Sequence, residues 1–201
     1  MSAVLEARPD ARAWLGLPAE VLERVRPSIV RVRGRGPAGA GGIVWRPDVV
    51  LTNHHVVAGA GRALRVVDVD GGAHAARVRE SSRRLDLALL EVPGADLSPA
   101  PIGRSAGLRV GELVFAVGHP WGQPWVVTAG VVSGLGAVSV PGRTEPGLYI
   151  RSDVRLAPGN SGGPLLDARG AVVGLNAMVI GGDLSIAIPS DVVRHWLGER
   201  P

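Results

Sequence analysis

The chain has 201 residues, including 29 glycines and 16 prolines, which is enough for one domain with a sizeable core and many tight turns. Its 22 basic residues, all arginines, face 18 acidic residues, so the formal net charge is only +4. The arginines are scattered rather than clustered on one face with aromatic residues, which argues against nucleic-acid binding. There is no cysteine and no His-Glu-x-x-His sequence, so we expect no disulfide framework, no metal and no cofactor.

The N-terminal part of the chain, residues 1–18, is predicted to be an arm. Ala11–Leu15 and Pro18–Val25 are candidates for two short helices, and a partly disordered arm is an equally good interpretation. Residues 1–10 contain no apolar run of signal-peptide length, and no run in the chain reaches transmembrane length. We therefore expect a cytoplasmic protein that has no membrane partner.

Short apolar runs separated by turn residues follow the arm, a pattern typical of an all-β protein. The predicted strands of the first half are Ser28–Arg33, Ile43–Trp45, Val49–Asn53, Ala63–Val69, Ala73–Val78 and Leu85–Val92. Those of the second half are Glu112–Val117, Val126–Leu135, Leu148–Ser152, Leu165–Leu166, Ala171–Val179 and Leu184–Ile188. Pro93–Ala106 is the predicted crossing between the halves, and Ser190 is predicted to cap a closing helix, Asp191–Leu197.

The most informative stretch is Ala157-Pro158-Gly159-Asn160-Ser161-Gly162-Gly163-Pro164, in which one serine lies among glycines and prolines between two apolar runs. Because glycine permits positive φ and close backbone approach, this turn can direct the N–H groups of Gly159 and Ser161 at one point beside the Ser161 hydroxyl. Acyl transfer needs a nucleophile next to such donors. A plain Gly/Pro hairpin with a turn serine is the competing interpretation.

A serine nucleophile needs a histidine base and a carboxylate that orients the base. His55 lies at the end of an apolar, strand-like run, and Asp86 interrupts a second apolar run. His54 is the less suitable neighbour, because alternation along a strand would point it away from a cleft that His55 faces. His119 lies in a Gly-His-Pro turn and is a weaker candidate for a contact with the site.

Taken in order, these motifs resemble those of the HtrA (Deg) proteases, which are trypsin-like serine proteases of protein quality control. Thr52–Val57 is similar to their Thr-Asn-Ala-His-Val-Val and Asp86–Leu90 to their Asp-Ile-Ala-Leu-Ile. Gly159–Pro164 matches their Gly-Asn-Ser-Gly-Gly-Pro, and Ala187–Ser190 resembles their Ala-Ile-Pro-Ser. The resemblance runs from about Leu17 to Leu197, which is nearly the whole chain.

The resemblance implies an all-β fold of two six-stranded antiparallel β-barrels with a short C-terminal helix. It divides the chain into the arm at 1–18 and a protease domain at 19–198, with barrels at about 26–100 and about 104–189 and the closing helix at 190–198. Few residues follow the Ala-Ile-Pro-Ser motif, so we expect the usual C-terminal PDZ domain of the family to be absent.

In function, the resemblance implies a serine endopeptidase that cuts unfolded or damaged polypeptides and is a candidate for a homo-oligomer, by resemblance a trimer. His55, Asp86 and Ser161 are the expected catalytic residues, and the Gly159 and Ser161 N–H groups the expected oxyanion hole. A pseudoprotease or chaperone-like binding module that keeps this fold without turnover is the alternative. Asp153 matches a family Thr-Asp segment and is interpreted as an acceptor that orders a loop.

The residue before the cut bond is expected to be a small or medium aliphatic one. Leu156 lies where the family has an isoleucine in a small apolar pocket, whereas an inward-pointing Arg155 would select Glu or Asp. We favour the aliphatic alternative because an unpaired arginine in an empty pocket is costly to bury. Ser185, Ile186 and Ala187, by the same resemblance, complete the predicted substrate-binding residues.

Overall fold

The computed structural model describes residues 11–34, 39–140, 145–180 and 184–199. The strands within these ranges are β1 Ile29–Arg33, β2 Ala40–Arg46, β3 Val49–Thr52, β4 Arg65–Val67, β5 Ala73–Ala75, β6 Arg77–Ser82, β7 Leu87–Glu91, β8 Leu113–Gly118, β9 Val126–Val138, β10 Gly147–Ser152, β11 Pro164–Asp167, β12 Val172–Ile180 and β13 Leu184–Pro189. The α-helices are α1 Ala11–Val25, α2 His54–Val57 and α3 Ser190–Trp196. The predicted all-β class is confirmed, with a short C-terminal helix.

The second half of the chain forms a closed antiparallel barrel of six strands, in the order β10-β13-β12-β11-β8-β9. Its strands alternate between buried and exposed positions, as in β9, where Val132 and Gly134 are buried between exposed neighbours. Closure pairs every strand on both sides, so this half has no exposed sheet edge along the barrel.

The first half of the chain was also predicted to form a closed six-stranded barrel, and this prediction is wrong. This half forms a seven-stranded antiparallel sheet in the order β5-β4-β1-β2-β3-β7-β6, which curves but does not close. Its two edge strands, β5 and β6, are consecutive in the chain and separated only by Ala76, whose N–H donates to the Leu64 carbonyl at 3.2 Å. The ladder breaks at this bend, and a register shift between Val78 and Glu80 follows it, so one predicted strand becomes two.

The helices also differ from the sequence-based expectations. α1 is one continuous helix with Pro18 inside it, although proline removes a backbone donor. Burial of Val21 and Val25 in the core stabilises its second half. Ser190 does not cap α3 but is its first residue, and its hydroxyl accepts the Ser105 N–H at 3.1 Å and donates to the Gly103 carbonyl at 3.0 Å. Residues 1–10 of the predicted arm lie outside the described residues.

A single apolar cluster joins the two halves and positions the cleft between them. It contains Leu51 of β3, Phe115 of β8, Val21 and Val25 of α1 and Val193 of α3, all at most 1% exposed. Each half has in addition a smaller cluster of its own. Shared burial of this kind fixes the two sheets against each other. None of the described helices is long and apolar enough to cross a membrane.

Candidate active site

The first half supplies a histidine and an aspartate that are in direct contact. The single turn α2 follows β3 directly, and the His55 N–H donates to Asp86 Oδ1 at 3.0 Å. The ring Nδ1 of His55 lies 2.8 Å from Asp86 Oδ2 and 3.1 Å from Oδ1. Asn53 Nδ2 donates to the Asp86 carbonyl at 3.0 Å. Because the Asp86 carboxylate contacts both the backbone N–H and the ring Nδ1 of His55, it fixes the orientation of the imidazole. The other ring nitrogen, Nε2, is then available for proton transfer.

The Asp86 and His55 side chains differ in their exposure to solvent, as expected for a buried carboxylate that orients an accessible base. Asp86 is buried, with its side chain 5% exposed, whereas the His55 side chain is 46% exposed. Asp86 also has φ of +58°, in the left-handed region that Asp and Asn enter more readily than most residues. The backbone at Asp86 therefore accepts strain to place its carboxylate under His55.

The side chains of His54 and His55 point in different directions, but the cause is not the strand alternation that was predicted. Both residues belong to the helical turn α2, in which successive side chains point about 100° apart. His54 is turned towards β6, where its Nδ1 lies 3.4 Å from Ser81 Oγ. The result is the same as predicted, with only His55 facing Asp86.

The turn that carries Ser161 is fixed by backbone hydrogen bonds to both halves of the protein. Within the turn, the Gly163 N–H donates to the Asn160 carbonyl at 3.0 Å. From outside, Gly162 donates to the Asn176 carbonyl of β12 at 2.9 Å, and the Gly41 N–H of β2 donates to the Ser161 carbonyl at 2.7 Å. Gly162 has φ of +80°, and a Cβ there would overlap the Gly41 carbonyl oxygen. The position therefore requires glycine.

The peptide groups just before Ser161 are held by the segment that follows β8. The His119 N–H donates to the Gly159 carbonyl at 3.2 Å, and the Trp121 N–H donates to the Pro158 carbonyl at 3.1 Å. These two carbonyls are occupied, and neither the Gly159 nor the Ser161 N–H donates to a backbone carbonyl in the described part of the chain. Two such donors on either side of Asn160, beside a hydroxyl, are what an oxyanion hole requires.

The Ser161 hydroxyl does not contact His55 in this conformation. It donates instead to the Ala177 carbonyl of β12 at 3.0 Å, and no hydrogen bond among the described residues joins Ser161 to His55. His55, Asp86 and Ser161 nevertheless line one cavity of about 530 Å³. Nucleophile–base contacts are often loose in unliganded sites and form on substrate binding, and rotation of one side-chain torsion of Ser161 changes its partner.

Two adjoining cavities lie beside the Ser161 turn and share the lining residues Leu156, Ala157, Pro158 and Val179. The first is the 530 Å³ cavity, and the second, of about 700 Å³, is also lined by Arg155 and Ser185. Leu156 is half-buried and Arg155 is exposed. The shared walls are therefore largely apolar, and the arginine lies where water reaches it.

The remaining predicted substrate-binding residues lie in β13. Ser185 lines the second cavity, is buried and donates to the Val154 carbonyl at 2.6 Å. Ile186 and Ala187 are 1% and 2% exposed and line neither cavity, and their role in substrate binding stays a prediction. Asp153 Oδ1 accepts the Val131 N–H at 2.6 Å, in agreement with its interpretation as a loop-ordering acceptor.

Sequence reasoning gave His119 little weight, yet its backbone touches the Ser161 turn through Gly159. The imidazole is 2% exposed and packs edge-on against Trp125, with ring centroids 4.9 Å apart. Burial, followed by the nearby Arg31 charge, lowers the pKa of His119 to about 4, so the ring is neutral at pH 7. The sequence feature that could have indicated this contact is the position of His119, directly after an apolar strand and before Pro120.

The fold and the site together define a trypsin-like peptidase, and comparison with known proteins agrees. The trypsin-like peptidase domain family matches residues 39–175, and the chain belongs to this family. Among curated relatives, "Serine protease HTR4" of Bos taurus is 37% identical over 201 residues, covering 90% of this chain and 40% of the relative. "Probable periplasmic serine endoprotease DegP-like" of Hahella chejuensis is 42% identical over 190 residues, covering 83% and 40%.

Solved structures give the same result within that family. "HtrA-type protease AlgW with tripeptide" superposes with a TM-score of 0.81 at 29% identity, covering 90% of this chain and 62% of that one. "HtrA-type protease AlgW with decapeptide" has the same TM-score at 25% identity, covering 90% and 66%. The predicted HtrA resemblance is confirmed. The chain spans about 40% of the length of the curated relatives described above.

Proposed function

We propose that the protein is a serine endopeptidase in which Ser161 is the nucleophile. The observation that carries the proposal is the contact between His55 Nδ1 and Asp86 Oδ2 at 2.8 Å in the same cavity as Ser161. The relatives are named serine proteases, which supports the assignment of the chemistry to peptide bonds.

In the proposed reaction, Ser161 Oγ attacks the carbonyl carbon of a peptide bond while His55 Nε2 takes its proton. The tetrahedral intermediate then collapses, and His55 gives that proton to the leaving amine, which leaves an acyl-serine. Water repeats the two steps and releases the acid. Asp86 holds the imidazole in one tautomer and stabilises the imidazolium that forms. The Gly159 and Ser161 N–H groups stabilise the oxyanion, each by about 10²–10³ in rate.

The substrates we propose are extended polypeptides with a small or medium aliphatic residue before the cut bond. The cavity beside Ser161 is walled by Leu156, Ala177, Met178 and Val179. Such walls favour an aliphatic side chain, which gains about 25 cal/mol per Å² of apolar surface buried. An extended chain is available chiefly in unfolded or damaged proteins. A homo-oligomer and a cytoplasmic location stay predictions.

The test compares wild type with Ser161→Ala. Ser161 lies in a turn and its side chain fills no core position, so the variant should keep its melting temperature while casein hydrolysis and fluorophosphonate labelling are lost. Labelling that persists in the variant would contradict the assignment of the nucleophile. A folded wild type that neither cuts casein nor reacts with the probe would favour the peptide-binding alternative.

A further inference from the structure

A separate cavity of about 280 Å³ lies between β1, the β4–β5 turn and the segment after β8, and it shares no lining residue with the two apolar cavities beside Ser161. Its lining residues are Arg31, Val67, Asp68, Val69, Asp70, Gly71, His119, Pro124 and Trp125. We call it the Arg31 cavity. It contains two polar side chains that the proposed chemistry does not use, the half-buried Arg31 and the buried His119.

Arg31 carries a positive charge that the described residues do not neutralise. It lies in the middle of β1 and is half-buried. Its Nε is buried without a hydrogen-bond partner, and none of the ion pairs between described residues includes it. A half-buried guanidinium with unused donors has a strong preference for a carboxylate, which it can bind through two N–H groups at once.

His119 forms a neutral part of the same wall. Both ring nitrogens are buried, and the hydrogen-bonding group next to the ring is the Val30 backbone, which raises the pKa of His119 against the larger effect of burial. A neutral imidazole has only one N–H donor. Arg31 is therefore the group in this lining that can bind an anion.

The two carboxylates in the lining do not compete for Arg31. Asp68 is occupied by His74 Nε2 at 2.7 Å and by the N–H groups of Gly72 and Asp70 at 2.8 and 3.0 Å. Asp70 is exposed at the tip of the turn. Arg26, which does not itself line the cavity, lies over the ring of the lining residue Trp125 at 5.3 Å and adds a second cation nearby.

The remaining lining suits the carbon part of a ligand and not a bare inorganic anion. Val67, Val69, Pro124 and Trp125 supply apolar surface around the two polar groups. A side chain with one or two methylene groups and a terminal carboxylate meets both requirements. Aspartate and glutamate have this composition.

A short chain of contacts links the Arg31 cavity to the Ser161 turn. Arg31 pairs in the ladder with Gly41, whose N–H donates to the Ser161 carbonyl, and the His119 N–H donates to the Gly159 carbonyl. In the proposed function the residue before the cut bond occupies the apolar cavities, which share no lining residue with the Arg31 cavity. An extended chain advances about 3.4 Å per residue, so the Arg31 cavity is within reach of the first few residues after the bond.

We propose that the Arg31 cavity is a substrate subsite that binds an acidic side chain, Asp or Glu, in the first three residues after the cut bond. This inference rests on the proposed endopeptidase function and deepens it by assigning a substrate preference. Arg31 binds the carboxylate, the neutral His119 ring borders the site without adding charge, and Trp125 packs on the methylene groups of the ligand.

The test measures binding and needs no turnover. Fluorescent peptides of one sequence, with an aliphatic residue before the bond, carry Glu or Gln at the first, second or third position after it. Their Kd values are measured with the Ser161→Ala protein at physiological ionic strength. At one of these positions, Glu should bind about tenfold more tightly than Gln, since a partly buried charge-assisted hydrogen bond replaces a neutral one.

Two variants in the Ser161→Ala background locate the effect. Arg31→Met keeps the length and apolar stem of the side chain and should reduce the Glu/Gln ratio to about one. Arg33→Met is the matched control, because Arg33 is in the same strand, is exposed and does not line the cavity. Arg33→Met should keep the Glu/Gln ratio of Kd values. This control distinguishes binding in the Arg31 cavity from general electrostatic attraction by the positive charges of β1.

Three outcomes overturn the subsite. These are Glu and Gln peptides that bind within twofold of each other at all three positions, a preference that survives Arg31→Met, and a preference lost equally in Arg33→Met. The first comparison needs no variant at Arg31, so a variant that fails to fold does not leave the inference untested. Loss of the proposed function would be seen separately, as absence of casein hydrolysis by wild type.

Discussion

At the scale of single residues, Asp86 combines two requirements that few residue types meet. Its carboxylate must reach both the backbone and the ring of His55, and its backbone must hold φ of +58°. Asparagine meets the second requirement and has the shape for the first, whereas alanine meets neither. Substitutions at this position can therefore separate the chemistry from the backbone.

Asp86→Asn should lower kcat by about 10⁴-fold, because an amide presents a donor to His55 Nδ1 and favours the wrong tautomer. Asp86→Ala should lower it at least as much. Only Ala should also reduce the free energy of unfolding, by about 1–2 kcal/mol from left-handed strain. Urea unfolding and kcat for a peptide substrate measure the two effects. Equal stability of the two variants would contradict the role given to the backbone.

His119 predicts a dependence of stability on pH. Its folded pKa of about 4 lies below its ordinary value of 6.5, so between these values only the unfolded chain takes up a proton at this position. Acid should therefore remove up to roughly 3 kcal/mol of stability as pH falls from 6.5 to 4, with no contribution above pH 6.5. Arg31, Asp68 and Asp70, which line the same cavity, remain in place when His119 is replaced.

The measurement is urea unfolding at pH 7 and pH 5 of wild type and His119→Gln. Wild type should lose more stability between these two values than the variant, which has no imidazole to protonate. Carboxyl groups elsewhere titrate in both proteins and cancel in the comparison. An equal loss of stability in the two proteins would show that protonation of the buried His119 ring does not cause the destabilisation in acid.

At the scale of elements, the strands were predictable because turn residues delimit them. Gly, Pro and Asp-rich turns bracket β1, β3, β7, β8 and β13, and the observed ends lie within a few residues of the predicted ones. The break between β5 and β6 was not predictable, because all six side chains of β6 are exposed or half-exposed and show no alternation. α2 was read as a strand end since it is only four residues long.

The candidate site also has a part that was predictable from the sequence and a part that was not. The residue types and order of His55, Asp86 and Ser161 are local and visible in the sequence. The partner of the Ser161 hydroxyl is not, because the Ala177 carbonyl comes from a strand 16 residues further on. The burial of the Ile186 and Ala187 side chains is also not visible in the sequence, since a resemblance transfers positions but not the direction in which a side chain points.

The turn before Ser161 predicts a difference between two glycines. Gly159 and Gly136 have φ of +109° and +122°, so replacement by alanine strains both backbones, by about 1 kcal/mol. At Gly159 the new Cβ would also overlap the His119 carbonyl oxygen, whereas nothing lies within 4 Å at Gly136. Gly159→Ala should lower kcat at least 10²-fold by displacing an oxyanion donor. Gly136→Ala should keep most activity, and equal loss in both would implicate strain alone.

At the scale of the whole molecule, the shared apolar cluster should make the two halves unfold together. Leu51 belongs to the first sheet and Leu175 to the barrel, and both are 1% exposed in that cluster. Leu51→Ala and Leu175→Ala should each cost about 2–5 kcal/mol. Each should shift one calorimetric transition to lower temperature without splitting it. A second transition that moves with only one of the two variants would contradict a common core.

The hydrogen bond from Gly162 to Asn176 has a consequence for the order in which a newly made chain becomes able to cut. Ribosomes deliver the chain from its N-terminus, and domains fold as their residues emerge. The His55–Asp86 pair can form once residue 91 has left the ribosome, but the Ser161 turn takes its shape from Asn176 and Ala177, which emerge after it. The Ser161 turn is thus the last part of the site to be positioned. A partly translated chain that ends before β12 carries the histidine and the aspartate without a positioned serine.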